Sequence, residues 1–168
     1  FGVLRSKLVP TEAIKDMQTS GAGFAGFATW LDMTPADSDM FAIPDPESLI
    51  QLPWNKEVGW LASDLWMEGK PVEASPRVML KKQISRLSKK NMVLKSGVES
   101  EYFLINSEGT AISDLRDTQS KPCYDQSALM RQYSLIKEIC DSMIKLGWGP
   151  YQNDHEDANG QFEMNWNY

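Results

Sequence analysis

The sequence predicts an α+β protein whose sheet is largely antiparallel. Segments with the two-residue period of strands and segments with helical periodicity are mixed along the 168 residues. A hairpin signal, Asn159-Gly160, lies near the carboxyl end, directly after a long amphipathic helix. The length suits one domain, or a small domain followed by part of another.

The first third of the chain predicts short elements separated by turns. "FGVLRSKLVP" reads as a strand that ends at Pro10, and "TEAIKDMQTSG" as a short helix with Thr11 as N-cap and Gly21 beyond its end. The stretch "TPADSDMFAIPDPESLIQLPW" is rich in proline and aspartate, which favours turns with short extended pieces.

The middle of the chain predicts a hairpin and then a helix. "EVGWLASDLWM" is typical of one strand, and "EGKPV" of the turn into its partner strand. "SPRVMLKKQISRLSKKN" predicts a helix with Ser75 as N-cap and Pro76 at its first position. The apolar side of this helix is expected to consist of Val78, Leu80, Ile84 and Leu87.

The last third predicts a strand, a long helix and a hairpin. "GVESEYFLI" has strand composition and alternation, and "DQSALMRQYSLIKEICDSMIKLGWG" predicts one long helix closed by Gly147. The apolar stripe of that helix is Leu129, Ile136, Ile139, Met143 and Leu146. "PYQNDHEDANGQFEMNW" predicts the hairpin.

Composition excludes several classes of function. The chain has no apolar run of about 18 residues, so we expect no membrane span. A net charge of −6 argues against a nucleic-acid partner, because phosphate binding needs a basic surface. Two cysteines are too few for a disulfide framework, which favours a reducing compartment.

Two familiar motifs fail on their context. "GAGFAG", Gly21 to Gly26, has the glycine spacing of a dinucleotide-binding turn, but that turn needs a strand before it, and here a helix is predicted. "DANG" resembles the middle of an EF-hand, but the alignment would place His155 and Trp166 at positions that need oxygen ligands.

Glutamates concentrate on one face of a predicted strand. Alternation places Glu99 and Glu101 on the same face as Phe103 and Ile105, and two bare carboxylates cannot be buried together there. A strand end that emerges into solvent would explain the pair. For this pair taken alone that explanation is preferred to a bound cation.

The predicted hairpin repeats the pattern. With a two-residue turn at Asn159-Gly160, Glu156 lies directly across from Glu163; with a four-residue loop, 157–160, the two share a face diagonally. Opposed like charges destabilise a sheet by up to about 1 kcal/mol, and a hard divalent cation would remove that cost. His155 is turned away from Glu156, which favours a packing or hydrogen-bonding role for the histidine. Together the two segments indicate a carboxylate-lined metal site built on sheet.

These two segments also resemble a known family. "GVESEYFLI" is similar to a strand segment of the glutamine synthetases and their γ-glutamyl ligase relatives, and "NDHEDANGQFE" to their second metal segment with its G-Q-x-E motif. "GFAGFATWLDM", "LPWNKEVGWLASDLWMEGKPVEASPR" and "KPCYDQSALMRQYSLIKEICDSM" resemble the type III, γ-glutamylmethylamide synthetase-like branch. The resemblance covers essentially the whole chain.

The resemblance implies a fold and a set of site residues. Residues 1–75 would form a small β-grasp-like N-terminal domain, and residues 76–168 the first part of an antiparallel-sheet catalytic domain that binds metal and ATP. Glu101, Glu156 and Glu163 would bind the Mg²⁺ or Mn²⁺ ion nearer the substrate carboxylate, and Glu99 the ion nearer the ATP phosphates. Tyr168 would lie against the adenine ring. No catalytic residue is assigned.

The resemblance also implies an activity. The expected reaction is ATP-dependent ligation of ammonia or an alkylamine to the γ-carboxylate of glutamate through γ-glutamyl phosphate, in a homo-oligomeric ring with active sites between subunits. Residues 25–28, Ala-Gly-Phe-Ala, stand where glutamine synthetases have Asp-Gly-Ser-Ser, and losing that aspartate favours an alkylamine over ammonium. We expect a cytoplasmic or organelle-interior protein, and a chain that is inactive alone because the family's later ligands and arginines would follow Tyr168.

Two other functions remain as alternatives. The chain could be a ligase-derived subunit that serves as a structural or partner-binding piece without catalysis. A glycoside hydrolase with two carboxylates is the third possibility, and the sequence has no sugar-platform pattern to support it.

Overall fold

A computed structural model describes residues 3–29 and 32–167 of the chain. It divides into two compact units, Phe1–Leu94 and Lys95–Tyr168. Both units combine helices with antiparallel sheet, which confirms the α+β class. None of the helices in the described ranges is both long and apolar enough to cross a bilayer.

The first unit consists of two small sheets and two α-helices. A 3-10 turn, Thr11–Ala13, leads into helix α1. Strands β1, β2, β5 and β6 form one antiparallel sheet in the order β1-β2-β5-β6, and β3 pairs with β4. The elements are α1 (Ile14–Ser20), β1 (Ala22–Phe24), β2 (Met40–Pro44), β3 (Ile50–Leu52), β4 (Asn55–Trp60), β5 (Ser63–Met67), β6 (Lys70–Pro71) and α2 (Pro76–Ser88).

Ion pairs fix helix α2 to the sheet of this unit. Arg77 Nε lies 2.9 Å from an oxygen of Asp64 on β5, and the same guanidinium also pairs with Asp45 beside β2. Lys81, one turn along the helix, reaches both carboxylates. Because the four side chains are partly shielded from water, this network orients the helix more firmly than an isolated surface pair would.

The second unit is a three-stranded sheet with helices packed against one face. The sheet order is β7-β9-β8, with both pairings antiparallel. The elements are β7 (Glu99–Phe103), α3 (Gln126–Arg131), α4 (Tyr133–Lys145), β8 (Pro150–His155) and β9 (Gln161–Trp166).

Alternation along the strands separates an apolar face from an acidic one. Phe162, Met164 and His155 are buried, and Asn153 Nδ2 on the same face reaches the Cys140 thiol of α4 at 3.2 Å. This face is therefore the one that the helices cover. The opposite face carries the glutamates, so the sequence pattern of the strands decides which side of the sheet is left for charge.

Four sequence-based predictions about the first unit are wrong in detail. Residues 3–10 form no strand, and the side chains of Leu4 and Leu8 are over nine-tenths exposed. Thr11 lies inside the 3-10 turn rather than capping it. The predicted strand 57–67 is two strands in different sheets, because the Ala62 N–H binds the Ser48 hydroxyl at 2.8 Å instead of a neighbouring strand.

The fourth concerns helix α2, which begins as predicted after Ser75 with Pro76 at its first position. Val78 and Leu87 are half-buried, but Leu80 and Ile84 are 52% and 50% exposed. Helical periodicity located the apolar stripe without revealing how much of it this unit covers.

The long helix predicted in the second unit is interrupted. α3 ends at Arg131 and α4 begins at Tyr133, because Gln132 takes φ −103° and ψ 7°. No proline or glycine signals this break in the sequence. The predicted stripe is otherwise confirmed, since Ile136 and Met143 are buried, and Gly147 closes α4 with φ +76°.

Candidate metal centre

Two glutamates on neighbouring strands of the second unit, and a third directly after strand β8, meet on one face of the sheet. Glu101 of β7 and Glu163 of β9 are directly paired in register. One carboxylate oxygen from each of Glu101, Glu156 and Glu163 lies within 4.8 Å of the other two. Glu163 is buried, Glu156 half-buried and Glu101 exposed, so the cluster opens toward solvent on one side.

The loop between β8 and β9 decides how Glu156 reaches this cluster. The Glu156 N–H donates to the Gln161 carbonyl at 2.9 Å, which closes a four-residue loop, 157–160. Asp154 is therefore the residue directly opposite Glu163, and Glu156 lies on the same face one diagonal step away. Of the two turn geometries that the sequence allowed, the longer loop is confirmed.

Amide side chains hold two of the carboxylates in place. Asn165 Nδ2 donates to Glu163 Oε1, and Gln161 Nε2 donates to Glu101 Oε2. Gln161 also accepts, through Oε1, from the Ala158 N–H at 3.2 Å, so it ties the loop to the neighbouring strand. These hydrogen bonds restrict the rotamers of the two carboxylates, which prepares them to act as ligands.

The closeness of the three carboxylates shifts the pKa of Glu156. The neighbouring Glu163 carboxyl, with which Glu156 can share a proton, raises the pKa of Glu156; partial burial and the charge of Glu101 add to this effect. A proton between two carboxylates is one way to relieve such repulsion, and a divalent cation is another.

The donor set fits a hard divalent cation. Mg²⁺ and Mn²⁺ favour oxygen ligands, and Mg²⁺ is bound in proteins through a few carboxylates while it keeps several waters. Glu101, Glu156 and Glu163 offer three such oxygens from three chain segments, with one open side. These residues would hold the ion.

Asp154 is an acidic neighbour to which the sequence analysis gave no role. It lies opposite Glu163 and is 8% exposed, with its Oδ1 3.4 Å from Gln152 Nε2. Glu101, Glu163 and Asp154 thus form a continuous row across all three strands. Strand alternation with Glu156 would have placed Asp154 on this face.

Glu99 lies on the same face but outside the cluster. It is paired in register with Asn165, is exposed, and is not among the glutamates that meet within 4.8 Å. It lines a cavity of about 210 Å³ together with Gly97, Val98, Tyr151, Asn165, Trp166 and Asn167. Its assignment to a second metal ion stays a prediction, and Tyr168, the predicted adenine contact, lies outside the described residues.

His155 has the packing role that alternation predicted. Its ring is completely buried with its edge toward Phe162, the ring centroids being 5.0 Å apart. Its Nε2 lies 2.6 Å from an oxygen of Asp117, a residue 38 positions earlier that the sequence analysis did not single out. The glycine motif beginning at Gly21 follows helix α1, so the dinucleotide-binding interpretation lacks its strand.

Comparison with protein families gives a direct match. The family model described as "Glutamine synthetase, catalytic domain" matches residues 73–168, which include the whole carboxylate cluster. Curated proteins match along the entire chain. A glutamine synthetase from Rhizobium leguminosarum bv. phaseoli is 62% identical over 100% of this chain. A glutamate–methylamine ligase from Methyloversatilis universalis is 41% identical over 99% of it.

Solved structures agree with these matches. A structure described as "Apo GmaS without ligand" is 66% identical, superposes with a TM-score of 0.94 and is matched over 99% of this chain. A "novel glutamine synthase homolog" at 16% identity and a TM-score of 0.71 shares the fold. The chain spans 39% of the length of each of these two curated relatives and of each of these two structures.

Proposed function

Because the chain belongs to the glutamine synthetase family, we propose that it supplies the carboxylate metal centre of an ATP-dependent ligase that joins ammonia or an alkylamine to the γ-carboxylate of glutamate. The observation that carries the proposal is the meeting of Glu101 on β7, Glu163 on β9 and Glu156 directly after β8, inside the segment that matches the catalytic-domain model.

The charges of the substrates explain why such a reaction needs the face of the sheet that carries the three glutamates. ATP and glutamate are both anions, so the attacking carboxylate oxygen and the γ-phosphoryl group repel each other. Divalent cations, when bound, screen that repulsion and orient the phosphoryl group. The role of the chain is to hold three oxygen ligands in fixed positions, with Asn165 and Gln161 restraining Glu163 and Glu101.

The proposed reaction has two steps. A γ-carboxylate oxygen of glutamate attacks the γ-phosphorus of ATP, and ADP leaves, giving γ-glutamyl phosphate. The amine then attacks the acyl carbon, phosphate leaves, and the nitrogen loses a proton. Both steps build up negative charge, which favours a site lined by bound cations over one lined by bare carboxylates.

The acceptor is proposed to be a small alkylamine alongside ammonia. Residues 25–28 lack the aspartate that glutamine synthetases of the ordinary type have at the matching loop. A relative named for methylamine ligation is 41% identical, whereas relatives that are more similar are named glutamine synthetase, so both acceptors are kept.

Domain organisation and assembly belong to the same proposal. A boundary near residue 75 between an N-terminal β-grasp-like domain and the catalytic domain is supported by the start of the family match at residue 73. The compact units divide later, at Leu94, because helix α2 is ion-paired to the first unit. A homo-oligomeric ring with active sites between subunits follows from the family resemblance.

Titration of the chain with Mn²⁺ in a calorimeter tests the metal centre. We expect saturable binding, and a loss of affinity of roughly tenfold or more in Glu163→Gln and Glu156→Gln, because each variant removes a charged ligand. Glu138→Gln, which alters an exposed glutamate on α4, is the matched control and should bind Mn²⁺ like the parent chain.

Two results would contradict the proposal. Absence of Mn²⁺ binding by the parent chain would favour a ligase-derived subunit without catalysis. Binding that is equally strong in Glu163→Gln and in Glu138→Gln would place the ion elsewhere.

A further inference from the structure

A buried aspartate lies directly beneath the loop that carries Glu156. The Asp117 side chain is 1% exposed and belongs to the segment between β7 and α3. Its Oδ2 accepts from the Gly160 N–H at 2.6 Å and lies 2.6 Å from His155 Nε2. Its backbone carbonyl accepts from Asn159 Nδ2 at 2.6 Å. Asp117 thus makes two hydrogen bonds to the loop, at Asn159 and Gly160, and one contact to His155, the last residue of β8.

His155 extends this contact to Glu156, the residue that directly precedes the loop. Its Nδ1 lies 2.8 Å from the Glu156 carbonyl, and because a carbonyl only accepts, Nδ1 is the donor. The fully buried ring has little freedom to reorient. Asp117 is therefore linked to the backbone of Glu156 through His155, and to the other end of the loop through Gly160.

Gly160 is fixed from its other side as well. Its carbonyl accepts from the Leu104 N–H at 2.9 Å, three residues after Glu101 on the same segment. Ile112 packs so closely that a Cβ on Gly160 would lie 2.6 Å from Ile112 Cγ2. The loop is thereby seated on the segment that follows β7, so Glu101 and Glu156 share one rigid support.

Burying the Asp117 carboxylate at this position costs free energy. Its Oδ1 has no hydrogen-bond partner among residues 3–29 and 32–167, and an unsatisfied buried polar atom costs free energy. The other oxygen, Oδ2, makes the contacts with Gly160 and His155, so the residue supports the loop in spite of this cost. A carboxylate that determines the position of a ligand-bearing loop has a reason to remain.

We propose that Asp117 is a positioning residue of the metal centre: through Gly160 and His155 it sets the distance of Glu156 from Glu163 and Glu101. This inference rests on the proposed function, because it assumes that the three glutamates bind a divalent cation. Without the Asp117 side chain the loop loses its hydrogen bond at the Gly160 N–H and the support that reaches Glu156 through His155, so Glu156, the one of the three glutamates outside a strand, is held less closely to the other two.

Mn²⁺ binding followed by electron paramagnetic resonance tests this role, since free and bound Mn²⁺ give different spectra. Asp117→Ala should lower Mn²⁺ affinity by about 10- to 100-fold, the range seen when an outer partner of a metal ligand is removed. Asp117→Asn should recover part of that loss, because its amide oxygen still accepts from the Gly160 N–H. At saturating Mn²⁺ the spectrum of the bound ion should also change in Asp117→Asn, which a general loss of stability would not cause.

The matched control is Asp114→Asn, in the same segment. Asp114 is ion-paired with Arg131 and Arg116, and its hydrogen bonds reach neither Glu156 nor Gly160. This variant should lower the melting temperature while leaving Mn²⁺ affinity and the spectrum unchanged. If Asp117→Ala does not fold, the Mn²⁺ affinity and spectrum of Asp117→Asn, compared with those of Asp114→Asn, test the positioning role.

The outcomes separate this inference from the proposed function. Mn²⁺ binding that depends on Glu163 but is the same in the parent chain and both Asp117 variants overturns the positioning role alone. An equal loss of affinity in Asp114→Asn also overturns it, by showing that any destabilised variant binds poorly. A parent chain that does not bind Mn²⁺ overturns both proposals.

Discussion

Adding a single methyl group at Gly160 should destabilise the second unit more than the same change at Gly147. Both glycines have φ +76°, so alanine at either position pays the same left-handed backbone strain of about 1–2 kcal/mol. The surroundings differ. A Cβ at Gly160 would lie 2.6 Å from Ile112 Cγ2 and 2.9 Å from Ile112 Cβ. A Cβ at Gly147 would have no atom of the described residues within 4 Å apart from its neighbours in the sequence.

The difference in unfolding free energy between Gly160→Ala and Gly147→Ala measures the cost of the contact between the added Cβ and Ile112. Forcing a methyl group into a closely packed site costs about 1–3 kcal/mol. We therefore expect the free energy of unfolding to fall by roughly 2–5 kcal/mol in Gly160→Ala and by about 1–2 kcal/mol in Gly147→Ala. The N–H and carbonyl of Gly160 are both hydrogen-bonded, to Asp117 and Leu104, which prevents the backbone from moving aside.

Urea unfolding followed by far-UV circular dichroism gives the two free energies, and hydrogen exchange of segment 156–166 shows whether the change is local. A second substitution, Ile112→Ala, removes Cγ2 and should restore part of the stability of Gly160→Ala but none of that of Gly147→Ala. Equal losses in the two glycine variants would refute the reasoning, because backbone strain alone would then account for both.

Two further predictions concern pH. The hydrogen bond from Arg131 lowers the pKa of Asp114, so this pair contributes stability above the ordinary aspartate pKa and loses it as pH falls through the lowered value. Arg131→Ala should accordingly destabilise the chain at pH 7 but much less well below about pH 4, and an equal loss at both, measured by urea unfolding, would contradict this. The pKa of Glu156 is shifted in the opposite direction. Its carboxyl takes up a proton at a higher pH than an ordinary glutamate, so Mn²⁺ affinity should begin to fall at a higher pH than it would with an ordinary glutamate ligand. Calorimetry from pH 7 downward checks this, and in Glu163→Gln, which removes the main cause of the shift, the decline should begin at lower pH.

The sequence predicted the faces of the strands better than their partners. The period of two is a local property of the backbone, so placing Glu101 with Glu99 on one strand face, and Glu156 on the same face as Glu163, needed no knowledge of the fold. Which strands pair is a long-range property. The register that sets Glu101 beside Glu163 joins residues 62 positions apart, and only the family resemblance gave a reason to expect it.

Asp117 shows where local patterns are uninformative. It lies in an irregular segment, where neither helical nor strand periodicity applies, and its contacts are with residues 38 to 43 positions away. The break at Gln132 is similar, because neither proline nor glycine marks it in the sequence and it is seen only in the backbone angles of that residue. Sequence patterns thus predict which side chains a site uses, whereas the residues that support them depend on tertiary contacts.

The division of the sheet into two faces explains how the second unit tolerates repulsion among the acidic side chains on one of them. Like charges opposed across strands cost up to about 1 kcal/mol per pair, and the row Glu101, Glu163 and Asp154 contains two such pairs. The other face of the same strands carries Phe162 and Met164 in a closely packed core that cannot rearrange to separate the charges. The packed strands therefore keep the carboxylates close together in spite of their repulsion. A cation that binds to this row removes the repulsion between the carboxylates, and that release of free energy strengthens its binding. Among variants of the row, metal affinity and the stability of the metal-free sheet should therefore vary in opposite directions.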